Sequence, residues 1–400
     1  MRKGNNVVRE ILAMLLVACS TTVAQVSGYL SSLQGYSTNP LYNYAEQSDQ
    51  LNQSYLELNW STRDAASRAR VGYIGSLVLF NQIRERTYYE HFLVGEYSKA
   101  YPRAKPAPAE DEPPPLETLY ANLLTLQAKA GARHDREPFI AYDNIGIAGT
   151  ASYKIMPSRG SFVTFSNELG YRGYPNVTEL SNILDLLTVK GGGSLGGTVT
   201  GALVVQAGLK HFTKAVVDST LIDEGTDPGA GTAIVVSPSS ANAFIVTLGG
   251  EMTAPWSSGS LTAAAVVRFN LSDSARYVTQ FANTLGLNED IYNDFFSYEG
   301  PEVQLTLKQT LPLGISLSLS AEYAARTYFA PAFDLVGNEV EPNRIDRRFA
   351  AEFYASRYVE IGGGIGIDLV LAGSLVSSQS NDEYNDYAVR SIGFGLGVGF

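Results

Sequence analysis

Over most of its length the chain repeats one pattern, with large apolar side chains at every second position and small or polar ones between. A two-residue period places successive side chains on opposite faces of an extended strand. The closing stretch is the cleanest example: Ile392, Phe394, Leu396, Val398 and Phe400 share one face, and the other carries Gly393, Gly395, Gly397 and Gly399. Further back, Ile315, Leu317, Leu319 and Tyr323 oppose Ser316, Ser318, Ser320, Glu322 and Arg326, and Val163, Phe165, Leu169 and Tyr171 oppose Thr164, Ser166, Glu168 and Arg172. Leu56, Leu58 and Trp60 oppose Tyr55, Glu57 and Asn59 in the same way. In a soluble protein an exposed stripe of this kind invites edge-to-edge aggregation. A strand with lipid on one side and a lumen on the other requires it.

Alternating segments are recognisable near 68–82, 86–99, 117–132, 139–155, 161–173, 195–212, 239–252, 260–270, 302–311, 313–328, 344–357, 361–378 and 387–400, about fifteen in all with those less distinct. The proline-rich run 102–115 cannot be a strand, since proline supplies no ladder donor. These features predict an all-β protein, an antiparallel transmembrane β-barrel over 53–400. Barrels of this kind use even strand numbers, so one strand is miscounted or lies in 29–45, and the expectation is 14 to 16 with sixteen preferred. Counting back from a periplasmic C-terminus places short turns at 156–160, 191–194, 255–259, 311–314 and 358–360 on the periplasmic side. The longer segments 213–238, 271–298, 329–343 and 379–386 then fall outside.

Composition supports the same class. No apolar run of about 18 residues occurs, which excludes a helical membrane span. The chain has 24 Tyr against 2 Trp, and tyrosine suits an interfacial girdle where a ring meets lipid and a hydroxyl meets water. A formal charge of −11 argues against a nucleic-acid partner, which needs a basic face. At the other end of the chain, Arg2, Lys3 and Arg9 precede the apolar run Ile11–Ala18 and small residues, so 1–24 reads as an export signal. Cleavage before Gln25 is one route; Leu16-Val17-Ala18-Cys19 also fits a lipobox, in which Cys19 would carry a lipid anchor. Residues 25–52, rich in tyrosine and amides, read as a periplasmic leader, a plug-like segment or a first strand.

The closing strand, with its alternating Ile392, Phe394, Leu396, Val398 and terminal Phe400, resembles the last strand of bacterial outer-membrane β-barrel proteins. That resemblance implies residence in the outer membrane among its lipids, and recognition of this strand by the barrel-assembly machinery. In size and architecture the chain is also similar to outer-membrane fatty-acid transporters, which implies an N-terminal segment tucked into the barrel as a hatch.

Motifs for chemistry are scarce. The run Gly191–Gly197 lacks the Gly-Lys-Ser/Thr of a phosphate loop and reads as a tight turn. His91, His134 and His211 are far apart, so no metal site is expected, and neither a cofactor nor a catalytic residue is assigned. The informative polar residues are the inward charges. Taking the polar face as lumenal, the candidates for the lining are Glu168, Arg172, Arg268, Lys308, Glu322, Arg326, Arg348 and Glu352, with Lys129, Arg133, Lys154, Lys210, Glu57, Glu251, Glu302 and Asp368 beside them. Glu168/Arg172, Glu322/Arg326 and Arg348/Glu352 share a spacing of four, which predicts arginines as an outer level and glutamates as a deeper one. Two functions follow: a passive diffusion channel for small hydrophilic or charged solutes, or an occluded barrel that transports hydrophobic solutes or serves as a structural and assembly component. Residues 274–296 have near-helical apolar spacing and are expected to fold over or into the mouth. The inward glycines of 393–399, together with Gly362, Gly364 and Gly366, predict a bare wall over which tyrosine rings or the N-terminal segment lie.

Overall fold

A computed structural model describes residues 25–400 apart from 43, 45, 64–65, 103–120, 138, 159, 217–219, 224–232, 237–240, 273–277 and 281–293. The signal segment 1–24 with Cys19, and the proline-rich run 103–120, lie outside the described residues.

Sixteen antiparallel strands close into one barrel. In chain order they are β1 (Gln25–Ser37), β2 (Asp49–Arg63), β3 (Ser67–Phe80), β4 (Tyr88–Pro102), β5 (Ala121–Asp135), β6 (Asn144–Ile155), β7 (Ser161–Gly173) and β8 (Asn182–Gly196). They continue as β9 (Val199–Phe212), β10 (Asn242–Trp256), β11 (Gly259–Asn270), β12 (Tyr298–Leu311), β13 (Ile315–Tyr328), β14 (Ile345–Gly362), β15 (Ile365–Ser380) and β16 (Tyr387–Gly399). Each pairs with its sequence neighbour, and β1 closes the ring on β16 through Tyr29↔Gly399 to Ser37↔Ser391. Closure leaves no unpaired edge, the condition lipid imposes because hydrocarbon cannot satisfy backbone N–H and C=O groups.

The seam runs one residue beyond the last strand: the Gly28 amide donates to the Phe400 carbonyl at 2.9 Å and the Phe400 amide to the Gly28 carbonyl at 3.0 Å. Residues 25–37 thus form a stave of the barrel, the first-strand alternative among the readings of 25–52. Sequence periodicity did not show this strand because Ser31, Ser32, Gln34 and Ser37 blur the contrast between its faces.

Alternation follows the pairing. Leu30, Leu93, Ile147, Leu169, Leu203, Leu248, Val303, Leu371 and the stripe Ile392–Phe400 are exposed on the outer face. Connections are short at one end of the barrel, at 156–160, 197–198, 257–258, 312–314 and 363–364, and long at the other, at 213–241, 271–297 and 329–344. We call these the turn end and the loop end. The segment 103–120 is the exception, since it joins β4 to β5 at the turn end.

Two turns sit elsewhere than the composition suggests. Gly191–Gly196 continue β8 and the chain reverses at 197–198, where Gly197 has φ +55°. The hairpin near 358–360 turns later, at 363–364; Gly362, Gly363 and Gly364 have φ of +122°, +64° and +79° and make the reversal instead of lining the wall. Left-handed backbone is open to glycine at little cost, so these glycines answer to the turn. Of 274–296, Val278–Gln280 form a short strand with Ala233–Val236 and Thr220–Asp223, tying two long loops together. An extended segment there replaces the helical reading for those three residues; 281–293 lie outside the described residues.

Candidate functional site

The lumen changes character along its axis. Near the loop end the inward side chains are buried: Asp49, Arg133, Asn182, Phe212, Ile245, Tyr298, Tyr328, Asp346, Tyr387 and Val389 are all below one tenth exposed. Short loops fold across their own strand ends to cover them. Asp49 accepts from the Gln82 and Ile83 amides, each at 2.9 Å, and so pins the loop 81–87. Arg86 donates to Asp135 Oδ1 at 2.8 Å while Arg133 Nε donates to Asp135 Oδ2 at 2.8 Å, so two buried guanidiniums share one carboxylate under Tyr142. Phe139, Tyr142, Tyr174, Val177 and Leu180 form the apolar cluster beside it. Farther round, Phe296 enters between Ala243, Ile245 and Leu184, which face inward, and the Asn270 amide holds its carbonyl at 2.7 Å. Asp294 forms an ion pair with Lys210. The end of the loop 271–297 is therefore docked inside the wall.

Below this collar the lining is wet. Gln53, Gln127, Lys129, Gln304, Lys308 and Glu352 are on inward rows and solvent-exposed. All eight sequence candidates, Glu168, Arg172, Arg268, Lys308, Glu322, Arg326, Arg348 and Glu352, occupy inward positions, because each is cross-strand to other lining residues. The first two share β7, and the other six lie on the opposite wall, β11 to β14.

On that wall three arginines come together. Arg268 reaches within 4.7 Å of the Tyr298 ring and Arg326 within 4.6 Å of the same ring, so one tyrosine is stacked by two guanidiniums. Gly300 lies between them on β12: its φ is +135°, and a Cβ there would stand 2.0 Å from the Ala325 carbonyl oxygen. Glycine lets the strand kink where the two long side chains meet. Arg348 donates to Glu322 Oε1 at 2.7 Å, and Arg326 stands 3.9 Å from the same oxygen. The Nε atoms of Arg268, Arg326 and Arg348 are buried with no hydrogen-bond partner.

The geometry is a cluster across strands and not two clean layers along them, since Glu322 is drawn to Arg348 on the neighbouring strand as well as to Arg326 on its own. Arg268, Arg326 and Arg348 gather around Glu322, with Glu302 and Asp346 beside Arg326 on the neighbouring strands, so cations and carboxylates are interleaved at this height. Other lumenal pairs are Arg70 with Glu57 at 2.5 Å and Lys190 with Glu251 at 2.7 Å. Lys190 escaped the sequence reading because no alternating segment was recognised between 173 and 195, where the structure has β8. Asp294 and Phe296 carry no local signal at all; only docking reveals them.

Two recesses open off the lumen. One, of about 360 Å³, lies under the docked loop between Lys129, Glu168, Arg172, Asn182, Lys210 and Asp294. The other, of about 310 Å³, lies along the seam and is walled by Leu33, Gly35, Leu51, Tyr354 and Gly393 with Glu352 at its side. The glycine wall is only partly bare. Tyr29 lies over Gly397, its hydroxyl donating to Asp368 at 3.3 Å, Tyr358 lies over Gly366, and Leu33 packs on Gly393 and Gly395.

The three histidines are on the outer face near the loop end, cross-strand to outward residues: His91 Nδ1 bonds the Tyr73 hydroxyl at 2.6 Å, His134 stacks near Tyr89, and His211 bonds Asn242 at 2.8 Å.

No protein-family model matches the chain, and no curated protein matches it by sequence. Among solved structures it is similar to OccK5 (OpdH) of Pseudomonas aeruginosa, with 9% identity over 94% of this chain and 98% of that one and a TM-score of 0.44. The outer membrane protein OprD of Pseudomonas aeruginosa gives 9% identity, 94% of each chain and a TM-score of 0.46. OccAB2 of Acinetobacter baumannii gives 6%, 94% and 98%, and 0.44.

Proposed function

We propose that the protein is a passive diffusion channel of the bacterial outer membrane for small hydrophilic or charged solutes. The reading is carried by the wet lumen beneath the collar: an interior satisfied purely by its own salt-bridge lattice would cover Gln127, Lys129, Gln304, Lys308 and Glu352, and these stay exposed. The wall that carries Arg268, Arg326 and Arg348, with Glu302, Glu322 and Asp346 set among them, is the element that filters by charge. The solute is hydrated through most of the passage and sheds water at the collar, where Lys210, Asp294 and Arg268 offer replacement hydrogen bonds. This assignment gives no residue a catalytic role. Outer-membrane lipid contacts the apolar outer face, and the loop end faces outward from the cell.

The test is electrical. Purified protein reconstituted in planar bilayers conducts in discrete steps, and its reversal potential in a salt gradient moves toward cation preference when Arg268, Arg326 and Arg348 are together replaced by Gln. Absence of steps in wild-type protein that is folded by heat-modifiable mobility overturns the channel; unchanged selectivity in the triple variant overturns the filter.

A further inference from the structure

A polar island interrupts the apolar outer face where β1 pairs with β2. Ser32 and Gln34 point outward on β1, Asn52 and Ser54 on β2, and the pairing sets them side by side as Ser32↔Ser54 and Gln34↔Asn52. Apolar residues box them in. Toward β16 the cross-strand partners are Leu396 and Phe394, and toward β3 they are Leu77 and Leu79. Leu30 and Leu56 lie below on the same two strands, and Tyr36 lies above beside Gln50. Ser32, Gln34, Asn52 and Ser54 are therefore at the depth of the hydrocarbon, and Gln50, the second residue of β2, borders them at the level of Tyr36.

Asn52 donates to Ser32 at 3.1 Å and accepts from Ser54 at 3.1 Å, which settles those three side chains. Among the described residues, the exposed side-chain amides of Gln34 and Gln50 have no partner. Another polar pair on the outer face, Asn167 and Asp185, differs in being closed by its own 2.6 Å hydrogen bond.

An amide facing lipid tails without a partner costs several kcal/mol, so something other than hydrocarbon covers this face. We infer that it is a second copy of this chain, packed β1–β2 against β1–β2 or its neighbour strand about an axis along the membrane normal. Three observations favour that occupant. A copy related by such an axis presents its own Gln34 and Gln50 at the same depth, whereas an unrelated partner needs polar groups placed at that level independently. Each amide carries both donors and acceptors, so the patch complements itself. The island holds no charge, and a partner with an ionised group there finds no counter-ion. The inference does not depend on the lumen conducting.

The experiment uses the full chain with Cys19→Ser, which has no other cysteine, and single substitutions Gln34→Cys or Val205→Cys. Val205 is exposed on the outer face of β9, across the barrel from β1. A short bis-maleimide added to outer-membrane preparations yields a dimer-sized product from Gln34→Cys and not from Val205→Cys, and native mass spectrometry in mild detergent shows more than one 43.1 kDa chain or its processed form. The double variant Gln34→Leu/Gln50→Leu still assembles, as judged by heat-modifiable mobility, but sheds to the single-chain mass. A wild-type protein of single-chain mass, cross-linking of Gln34→Cys no greater than of Val205→Cys, or capture of a different protein at Gln34→Cys each overturns the inference.

Discussion

Individual buried charges decide how firmly the collar holds. The side chain of Asp135 is fully buried and pairs with both Arg86 and Arg133, whose side chains are 4% and 9% exposed. Breaking a buried pair by removing one partner costs about 3–5 kcal/mol because the other charge is left stranded. Asp135→Ala is expected to lower stability by at least that amount in urea unfolding from lipid vesicles, and a loss under about 1 kcal/mol would show that water replaces the carboxylate. Asp382 gives the opposite kind of case. Burial raises its carboxyl above the usual range, with Arg344 and the Tyr384 amide only partly offsetting the effect. A group whose folded pKa is raised binds more protons folded than unfolded, so its contribution is complete below the ordinary carboxylate pKa of about 4 and is lost as pH rises through the folded value. Once intrinsic exchange rates are corrected for, amides of the loop 381–386 should be better protected in acid than at neutral pH. Asp382→Asn, which keeps the acceptor for Tyr384, should abolish that difference; equal pH dependence in both proteins would assign it to another group.

At the scale of elements, the seam is the informative join. From Ile392 onward, β16 contributes an apolar outer stripe and an inner face of glycines, and β1 meets it in register to Gly28, whose missing side chain accommodates the Phe400 ring. Closing the barrel therefore depends on both ends of the strand series at once, which gives the assembly signal expected at Ile392 to Phe400 a physical basis to test. Deleting Phe400 removes the final pair of hydrogen bonds, and Leu396→Arg places a charge against lipid at a cost of about 2–4 kcal/mol. Both variants should accumulate outside the outer membrane and lose heat-modifiable mobility on gels. Normal amounts in the membrane would mean that the rest of the stripe suffices.

For the whole molecule, the proposed channel has an asymmetric interior: an arginine-bearing wall on β11 to β14, a docked loop end beneath the mouth, and a more open lumen toward the turn end. Exposed charges are screened over about 10 Å at 0.1 M salt and over about 30 Å at 0.01 M. The selectivity shift on neutralising the three arginines should therefore grow as salt is lowered, since the solute in the lumen lies within a screening length of the wall only then over the full bore. Reversal potentials measured at two ionic strengths check this, and a shift independent of salt would place the arginines' effect in pore shape and not in their field.

Much of this was legible in the chain alone, because a strand between lipid and water has a period of two that nothing local can counterfeit over so many repeats. The alternation determined the barrel, the inward or outward facing of each lining charge, and the asymmetry of turns and loops. It left the first strand as one of several readings of 25–52, because its serines and Gln34 weaken the contrast, and it misplaced the hairpin tips, where glycines can belong to the strand or to the turn. Only tertiary structure decided the arginine cluster, since Arg348 meets Glu322 from the next strand and Arg268 meets Arg326 across Gly300, and the collar, since Asp294 and Phe296 reach Lys210 and Ile245 from far along the chain. Facing follows from the local pitch of the backbone, whereas partnership depends on register and loop docking, which are set by the closed ring as a whole.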